Sequence, residues 1–426
     1  MSASATFGIE RTKTLSALVA LFTIAVLAST PVDLNGQVTL AVATACVFVT
    51  MTWVQPAGGP LRVFILLLTL FTSARYMLWR ASETIPFSDP VSLFFALALF
   101  GAELYGFVIL LLSMFLSADV ADRRPVPAPV GATKSPTVDI LIPTYNEDEQ
   151  LLEVTVRAAM AVSYPAGRCS VYLLDDGGTV AKRTQMDPRK AAEAEERHQR
   201  LQQLCERTGA TYLTRERNDH AKAGNINAAL TQTSGELILI LDADHVPTAD
   251  ILLRTVGYFL ADPKLFLVQT PHFFLNPDPV ERNLDTFDRM PSENEMFYSV
   301  IQKGLDGYNA SFFCGSAAVL RRKHIMEIGG IQGETITEDA ETALELHARG
   351  YHSAYVARPM VAGLSPETFS GFIVQRMRWA QGMAQIFLLK NPLVKTGLTL
   401  AQRLGYLNSC FFWFFSLARM AFILTP

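Results

Sequence analysis

"ILILDADHVP", residues 238–247, runs apolar side chains straight into Asp242 and Asp244, two carboxylates separated by one alanine. An unbroken apolar run of this length, closed by a polar cluster, is the pattern of a strand covered on both faces, and so of a parallel sheet between helices. Two carboxylates at such a strand end repel each other and lose solvation. A hard divalent cation shared with a phosphate relieves both costs, whereas an Asx turn that ends the strand explains the same residues without chemistry.

Outward from this stretch the pattern repeats. "TVDILIPTYNE" (137–147) and "CSVYLLDDGG" (169–178) are also apolar runs ending in polar clusters, with helical patterns between them. This alternation predicts an α/β domain whose ligands bind at the carboxyl ends of the strands. At those ends Tyr145 offers a stacking surface beside Thr144, and Glu147 a hydrogen-bond acceptor. Asp175 and Asp176 suit a nucleobase edge and a ribose, although DDGG alone is more often a plain turn. In "HAKAGNINAAL" Lys222 is a point charge for a phosphate, and Gly224 permits close backbone approach at a helix start.

"TITEDAETALELHARGY" reads as a capped helix with Thr337 at the N-cap and Gly350 at its end, which accounts for Glu338 and Glu341 as first-turn acids. Asp339, with Glu338 beside it, is the candidate to take a proton from an attacking hydroxyl. Gln375, Arg378 and Trp379 share one helical face, suited to membrane anchoring or to a diphosphate and a sugar ring. The segment 187–209 reads as a solvated helix with Glu193–Arg197 and Glu196–Arg200 pairs and no chemical role.

The ordered set DDG (175–177), DAD (242–244), FFCGS (312–316), TED (337–339) and QRMRW (375–379) resembles the processive, membrane-embedded family-two glycosyltransferases, and within them the bacterial cellulose synthase catalytic subunits. The resemblance implies a glycosyltransferase A-type fold that takes UDP-glucose, inverts the anomeric carbon and extends a β-1,4-glucan. It implies that Thr144, Tyr145, Glu147, Asp175, Asp176 and Lys222 bind the nucleotide, and that Asp242 and Asp244 hold Mg²⁺ or Mn²⁺ with the diphosphate. Asp339 would be the base, with Glu338 at its side. Arg378 would meet the diphosphate, Gln375 and Trp379 the sugars, and Cys314 the floor of the acceptor site, where a small buried hydrophobe is an equal reading for the thiol.

Composition places this domain beside a membrane. Half of the 426 residues are hydrophobic and 18% are charged, and the net charge of −4 provides no footprint for nucleic acid. Five scattered cysteines without CxxC spacing indicate neither a disulfide framework nor a zinc site. Apolar stretches at Thr14–Thr30, Gln37–Val54, Leu61–Trp79 and Val91–Ser117 predict four spans. Arg11, Lys13, Arg123 and Arg124 flank the set and place both the N-terminus and the region after Ser117 in the cytosol. Arg75 is expected to snorkel, while Glu103 fits a helix-to-helix bond or a polar passage.

The expected organisation is an α-helical membrane protein with an inserted cytosolic α/β domain. Spans fill 1–118, a Pro-rich linker 119–136, the A-type domain 137–366, an interfacial amphipathic helix 367–395, and the start of a further membrane region 396–426, of which 407–424 is a spanning candidate. The chain ends there without a polar tail, so a longer parent sequence is expected. The resemblance further implies the bacterial inner membrane, a growing glucan in a transmembrane channel, and a membrane or periplasmic partner subunit that receives it. A response to cyclic di-GMP would belong to a regulatory domain outside this sequence. Rival readings are a synthase of β-1,3-glucan, chitin or hyaluronan, a nonprocessive enzyme loading a lipid phosphate, and a transporter or glycan-binding membrane protein whose A-type domain is inactive. AET after TED disfavours the chitin and hyaluronan makers, and QRMRW disfavours the nonprocessive enzyme.

Overall fold

The computed structural model describes residues 19–54, 59–118, 120, 122–128 and 135–425. Contacts divide the chain after residue 118 and again after residue 413, into a helical unit built from the two ends and an α/β unit between them.

In the helical unit, Leu34–Val54, Pro60–Glu83 and Pro90–Ala118 are helices long and apolar enough to cross a membrane. Of the first predicted span, Val19–Ser29 is helical and shorter, and residues 14–18 lie outside the described residues. Glu103 accepts from Arg80 Nε at 2.7 Å and from Tyr76 Oη at 3.0 Å, so it joins two helices. Arg75 departs from the snorkelling expectation. Its guanidinium donates to the carbonyls of Ala28 at 3.2 Å and Thr30 at 2.8 Å, closing the carbonyl end of the first helix, where positive charge is favoured.

The α/β unit holds a seven-stranded sheet in the order β3-β2-β1-β4-β8-β6-β9. Its strands are β1 (Val138–Thr144), β2 (Cys169–Asp175), β3 (Thr211–Thr214), β4 (Leu237–Ile240), β6 (Leu265–Gln269), β8 (Ala318–Arg321) and β9 (His352–Tyr355). A second sheet sets β10 (Val361–Gly363) between β5 (Val246–Pro247) and β7 (His272–Phe274). Pairing is parallel among β1 to β4 and between β6 and β9, and only β8 runs antiparallel within the large sheet. Every residue of β4 and β6 is buried, as strands covered on both faces require. Ile140, Ile142, Leu173, Leu239, Leu241 and Val268 form the centre of the core.

The linker is partly docked. Arg123 forms a two-pronged pair with Asp306 at 2.7 and 2.8 Å, the Arg124 carbonyl accepts from Tyr258 Oη at 2.8 Å, and a Cβ at Gly257 would collide with the Val126 carbonyl. Arg123 is thus more than a flanking charge. The spanning candidate expected at 407–424 belongs to a stretch that begins at Leu400, and its first part is keyed into the α/β unit. Tyr406 Oη meets His347 Nδ1 at 2.8 Å, and Gln402 Nε2 donates to the Asn309 carbonyl at 2.8 Å.

Candidate functional site

The strand ends meet as the apolar runs demand, and their polar residues divide into those that build loops and those that face a cleft. At the end of β1 the Glu147 carboxylate is consumed by its own loop: it accepts from Thr144 Oγ1 and the Tyr145 N–H, both at 2.6 Å, and from the Asn146 N–H at 3.1 Å. Tyr145 is exposed, with Lys182 Nζ 3.5 Å from its ring centroid, so a cation already covers one ring face. At the end of β2, Asp175 is fully buried and accepts from Gly177 N–H (2.8 Å), Arg197 Nε (3.1 Å) and Tyr212 Oη (2.9 Å). Asp176 is gripped through both oxygens by Arg215 at 2.7 Å. Thr144, Glu147 and the two aspartates therefore form the frame of this edge of the cleft, their side chains tied to protein partners.

Arg197, read from the sequence only as a surface partner of Glu193, and Arg215, to which the sequence reading gives no role, complete this edge. Arg197 does not pair with Glu193 as its spacing suggests. It lies on the inner face of the helix Pro188–Thr208, where it reaches Asp175, Thr144 Oγ1 (3.0 Å) and the Glu147 carbonyl (2.8 Å). The expected Glu196–Arg200 pair forms, at 2.9 Å. Arg215 follows β3 directly and also donates to the carbonyls of Asp219 and Ala221, which hold a start of the helix Ala221–Leu230 where His220 and Ala221 take positive φ. Its place just past a strand end was the signal that could have exposed it.

The centre of the cleft is built from four distant segments. Lys222 Nζ binds Asp242 Oδ1 and donates to the Gly315 carbonyl at 2.8 Å. A Cβ at Gly315, which has φ 81°, would lie 3.2 Å from Asp339 Oδ2 and 3.5 Å from Lys222 Nζ, so a side chain here would crowd the acid and the ammonium. The DAD, HAKAG, FFCGS and TED segments thus converge at one point. Burial opposes the charge on Asp242, yet Lys222 and His245 outweigh it and hold this carboxyl below the usual range. Asp244 behaves oppositely: burial raises it and the charge of Asp242 adds to the rise. Burial likewise opposes the Lys222 ammonium, which Asp242, Glu338 and Asp339 nevertheless hold above its ordinary value.

Asp339 is pushed up to about 7, first by burial and then by the neighbouring charge of Glu338. A carboxyl near 7 is matched to general-base work at neutral pH. Thr337 holds the N-cap position as expected but makes no side-chain cap hydrogen bond, and the helix Phe369–Leu389 packs on it: a Cβ at Gly382 would collide with Thr337 Cγ2. Gln385 Oε1 accepts the Ile336 N–H at 2.9 Å, so the QRMRW helix is tied directly to the TED turn. Glu341 is structural, fully buried and accepting from the Thr335 N–H at 2.8 Å.

On the QRMRW helix the two arginines differ. Arg376 pairs with Glu293 at 3.0 Å and lies 4.9 Å from the Trp379 ring, while Arg378 is exposed and makes no ion pair among the described residues. Gln375 and Trp379 are half-buried, and Trp379 meets Trp413 edge-on at 6.2 Å between centroids. Phe369, Ile373, Val374, Met377, Leu388 and Leu389 leave an apolar surface on this helix. The Cys314 thiol stands 3.1 Å from Gln302 Nε2, and burial together with Asp339 pushes it well above its ordinary range, which removes it as a nucleophile.

The donor set suits a hard cation. Asp242 and Asp244 provide carboxylate oxygens only, the donor type such a cation takes. Among the described residues no group of three or more His, Cys, Asp or Glu could hold a metal ion. The remaining coordination would have to come from a diphosphate and water.

Comparison with known proteins agrees with the fold. Residues 139–329 match the family described as Glycosyl transferase family 2, and residues 237–426 match Glycosyl transferase family group 2. The cellulose synthase catalytic subunit (UDP-forming) of Xanthomonas axonopodis pv. citri (strain 306) is 44% identical over 95% of this chain and 52% of its own length. That of Pseudomonas fluorescens (strain SBW25) is 43% identical over 93% and 51%, and the cellulose synthase 1 catalytic subunit of Komagataeibacter xylinus is 41% identical over 94% and 51%. The chain thus spans about half the length of these curated relatives. A solved mannosyltransferase of Pyrobaculum calidifontis, in complex with GDP-Man and Mn²⁺, shares the fold with a TM-score of 0.52 at 21% identity, over 77% of this chain and 84% of its own. The chain carries a family 2 glycosyltransferase domain and is related over most of its length to the catalytic subunits of bacterial cellulose synthases.

Proposed function

We propose that this chain catalyses processive, inverting transfer of glucose from UDP-glucose to the 4-hydroxyl of a β-1,4-glucan at the cytosolic face of a bacterial inner membrane. The observation that carries the reading is the meeting of Asp339, Lys222 with Asp242, and Gly315 in one hollow. In the reaction the C1–O bond to UDP breaks, the acceptor oxygen bonds to C1 from the opposite face, and Asp339 takes the acceptor proton. Lys222 and Arg378 bear on the diphosphate charge. Trp379 offers its ring to the acceptor sugar. Mg²⁺ or Mn²⁺ held by Asp242 and Asp244 would supply further neutralisation of the leaving diphosphate.

Synthesis beside apolar spans fits a product that cannot partition into lipid, so the spanning helices are read as the beginning of a glucan channel. The reading also takes in a membrane or periplasmic partner subunit that receives the polymer.

Asp339→Asn tests the reading. It should abolish polymer formation from radiolabelled UDP-glucose while UDP binding persists in calorimetry. Wild-type turnover by this variant would remove Asp339 from the role of base, and linkage analysis of the wild-type product would expose any glycan other than β-1,4-glucan.

A further inference from the structure

The turn after Cys314 joins two sides of the cleft through one hydroxyl. Ser316 is fully buried, and its Oγ accepts the Asp242 backbone N–H at 2.9 Å while lying 2.7 Å from His245 Nδ1. Its carbonyl accepts from Gln269 Nε2 at 2.8 Å and meets His272 Nε2 at 3.1 Å. A hydroxyl has one proton, and a buried donor without an acceptor is costly. Among the described residues His245 Nδ1 is the acceptor in reach, so the proton points there and His245 keeps its own proton on Nε2.

The backbone around Ser316 is unusual. Gly315 has φ 81° and Ala317 φ 53°, two left-handed residues flanking one serine. Glycine adopts this region freely, whereas alanine there costs roughly 1–2 kcal/mol. Strain of this kind persists where surrounding bonds hold it. Here it turns the Gly315 carbonyl toward Lys222 and the Ser316 hydroxyl into the loop that carries Asp242 and Asp244.

We propose that Ser316 is a positioning residue for donor binding: its hydroxyl sets the aim of the DAD loop and the tautomer of His245, and so couples the acceptor-side FFCGS segment to the site of the diphosphate and its cation. This rests on the reading of Asp242 and Asp244 given above. Ser316 touches no reacting atom; it acts through the Asp242 backbone and the His245 ring.

The test measures UDP binding to the full chain in detergent by calorimetry, with Mn²⁺ and again with EDTA, for wild type, Ser316→Ala and Ser316→Thr. Ser316→Ala should weaken Mn²⁺-dependent binding about tenfold and raise the KM for UDP-glucose more than it lowers kcat. Ser316→Thr, which retains the hydroxyl, should restore most of the affinity. Wild-type Mn²⁺-dependent affinity in a folded Ser316→Ala chain overturns the proposal, as does equal weakening with and without Mn²⁺. Should Ser316→Ala fail to fold, Ser316→Cys, close in volume and a poor hydrogen-bond partner, takes its place with the same expected loss. A wild-type chain whose UDP binding ignores Mn²⁺ would sink the parent reading together with this one, whereas a metal-dependent wild type with an indifferent variant sinks this one alone.

Discussion

At the scale of single residues, charge compensation decides what each acid can do. Asp339 lies deep in the cleft beside Glu338, and its carboxyl at about 7 must be ionised to accept a proton. Activity should therefore rise with pH and level off above an acid limb near 7, measured as kcat/KM across pH 5.5–8.5; a limb near 4 would contradict this environment. The two arginines of QRMRW should separate in the same assay. Arg378, exposed and without an ion pair among the described residues, is expected to cost at least tenfold in kcat/KM when replaced by alanine, through lost diphosphate contact. Arg376→Gln should weaken acceptor use by removing the cation over the Trp379 ring, which Glu293 holds in place, with the KM for UDP-glucose little changed.

At the scale of elements, the helix Phe369–Leu389 bears on the proposed base because of where it touches. Gly382 packs on Thr337 and Gln385 holds the Ile336 amide, so the orientation of the TED turn depends on this helix. A methyl at Gly382 would stand 2.7 Å from the Thr337 backbone nitrogen, closer than packed atoms approach. Gly382→Ala should displace the helix and lower kcat by an order of magnitude, and weaken UDP binding as well, because Arg378 moves with the helix. Equal kcat in a variant of unchanged thermal stability would show that the turn tolerates the shift.

At the scale of the whole molecule, the α/β unit takes hold of the chain at both of its connections. Arg123 in the linker neutralises Asp306, whose side chain is wholly buried and whose carboxyl burial drives upward in spite of that partner. Removing the guanidinium leaves a buried acid uncompensated, so Arg123→Ala should lower stability by roughly 2–3 kcal/mol in denaturant unfolding. At the other connection Tyr406 and Gln402 bind the unit, and His347, the partner of Tyr406, is held down to about 3 by burial. A histidine depressed below its unfolded value contributes stability above that value and loses it as pH falls. The melting temperature should thus decline on acidification below about 6.5, and less steeply in His347→Gln.

Much of this architecture is legible in the order of residues alone. Apolar runs that end in Asp175, Asp242 and Thr144 dictate buried parallel strands, because no exposed or amphipathic element tolerates such patterns, and long apolar stretches dictate spans by length alone. Periodicity also marks the helix 188–208, yet cannot say that Arg197 turns inward. Which polar residues face ligand and which hold loops is decided only when strand ends from different parts of the chain come together. Glu147 and Asp175 are spent on backbone amides and arginines, while Lys222, Asp242 and Asp339 meet across a glycine. Hydrogen bonds and charges act over a few ångströms of space, and sequence separation does not measure that distance; the strands were written in the amino-acid sequence, and the division of labour among their acids only in the fold.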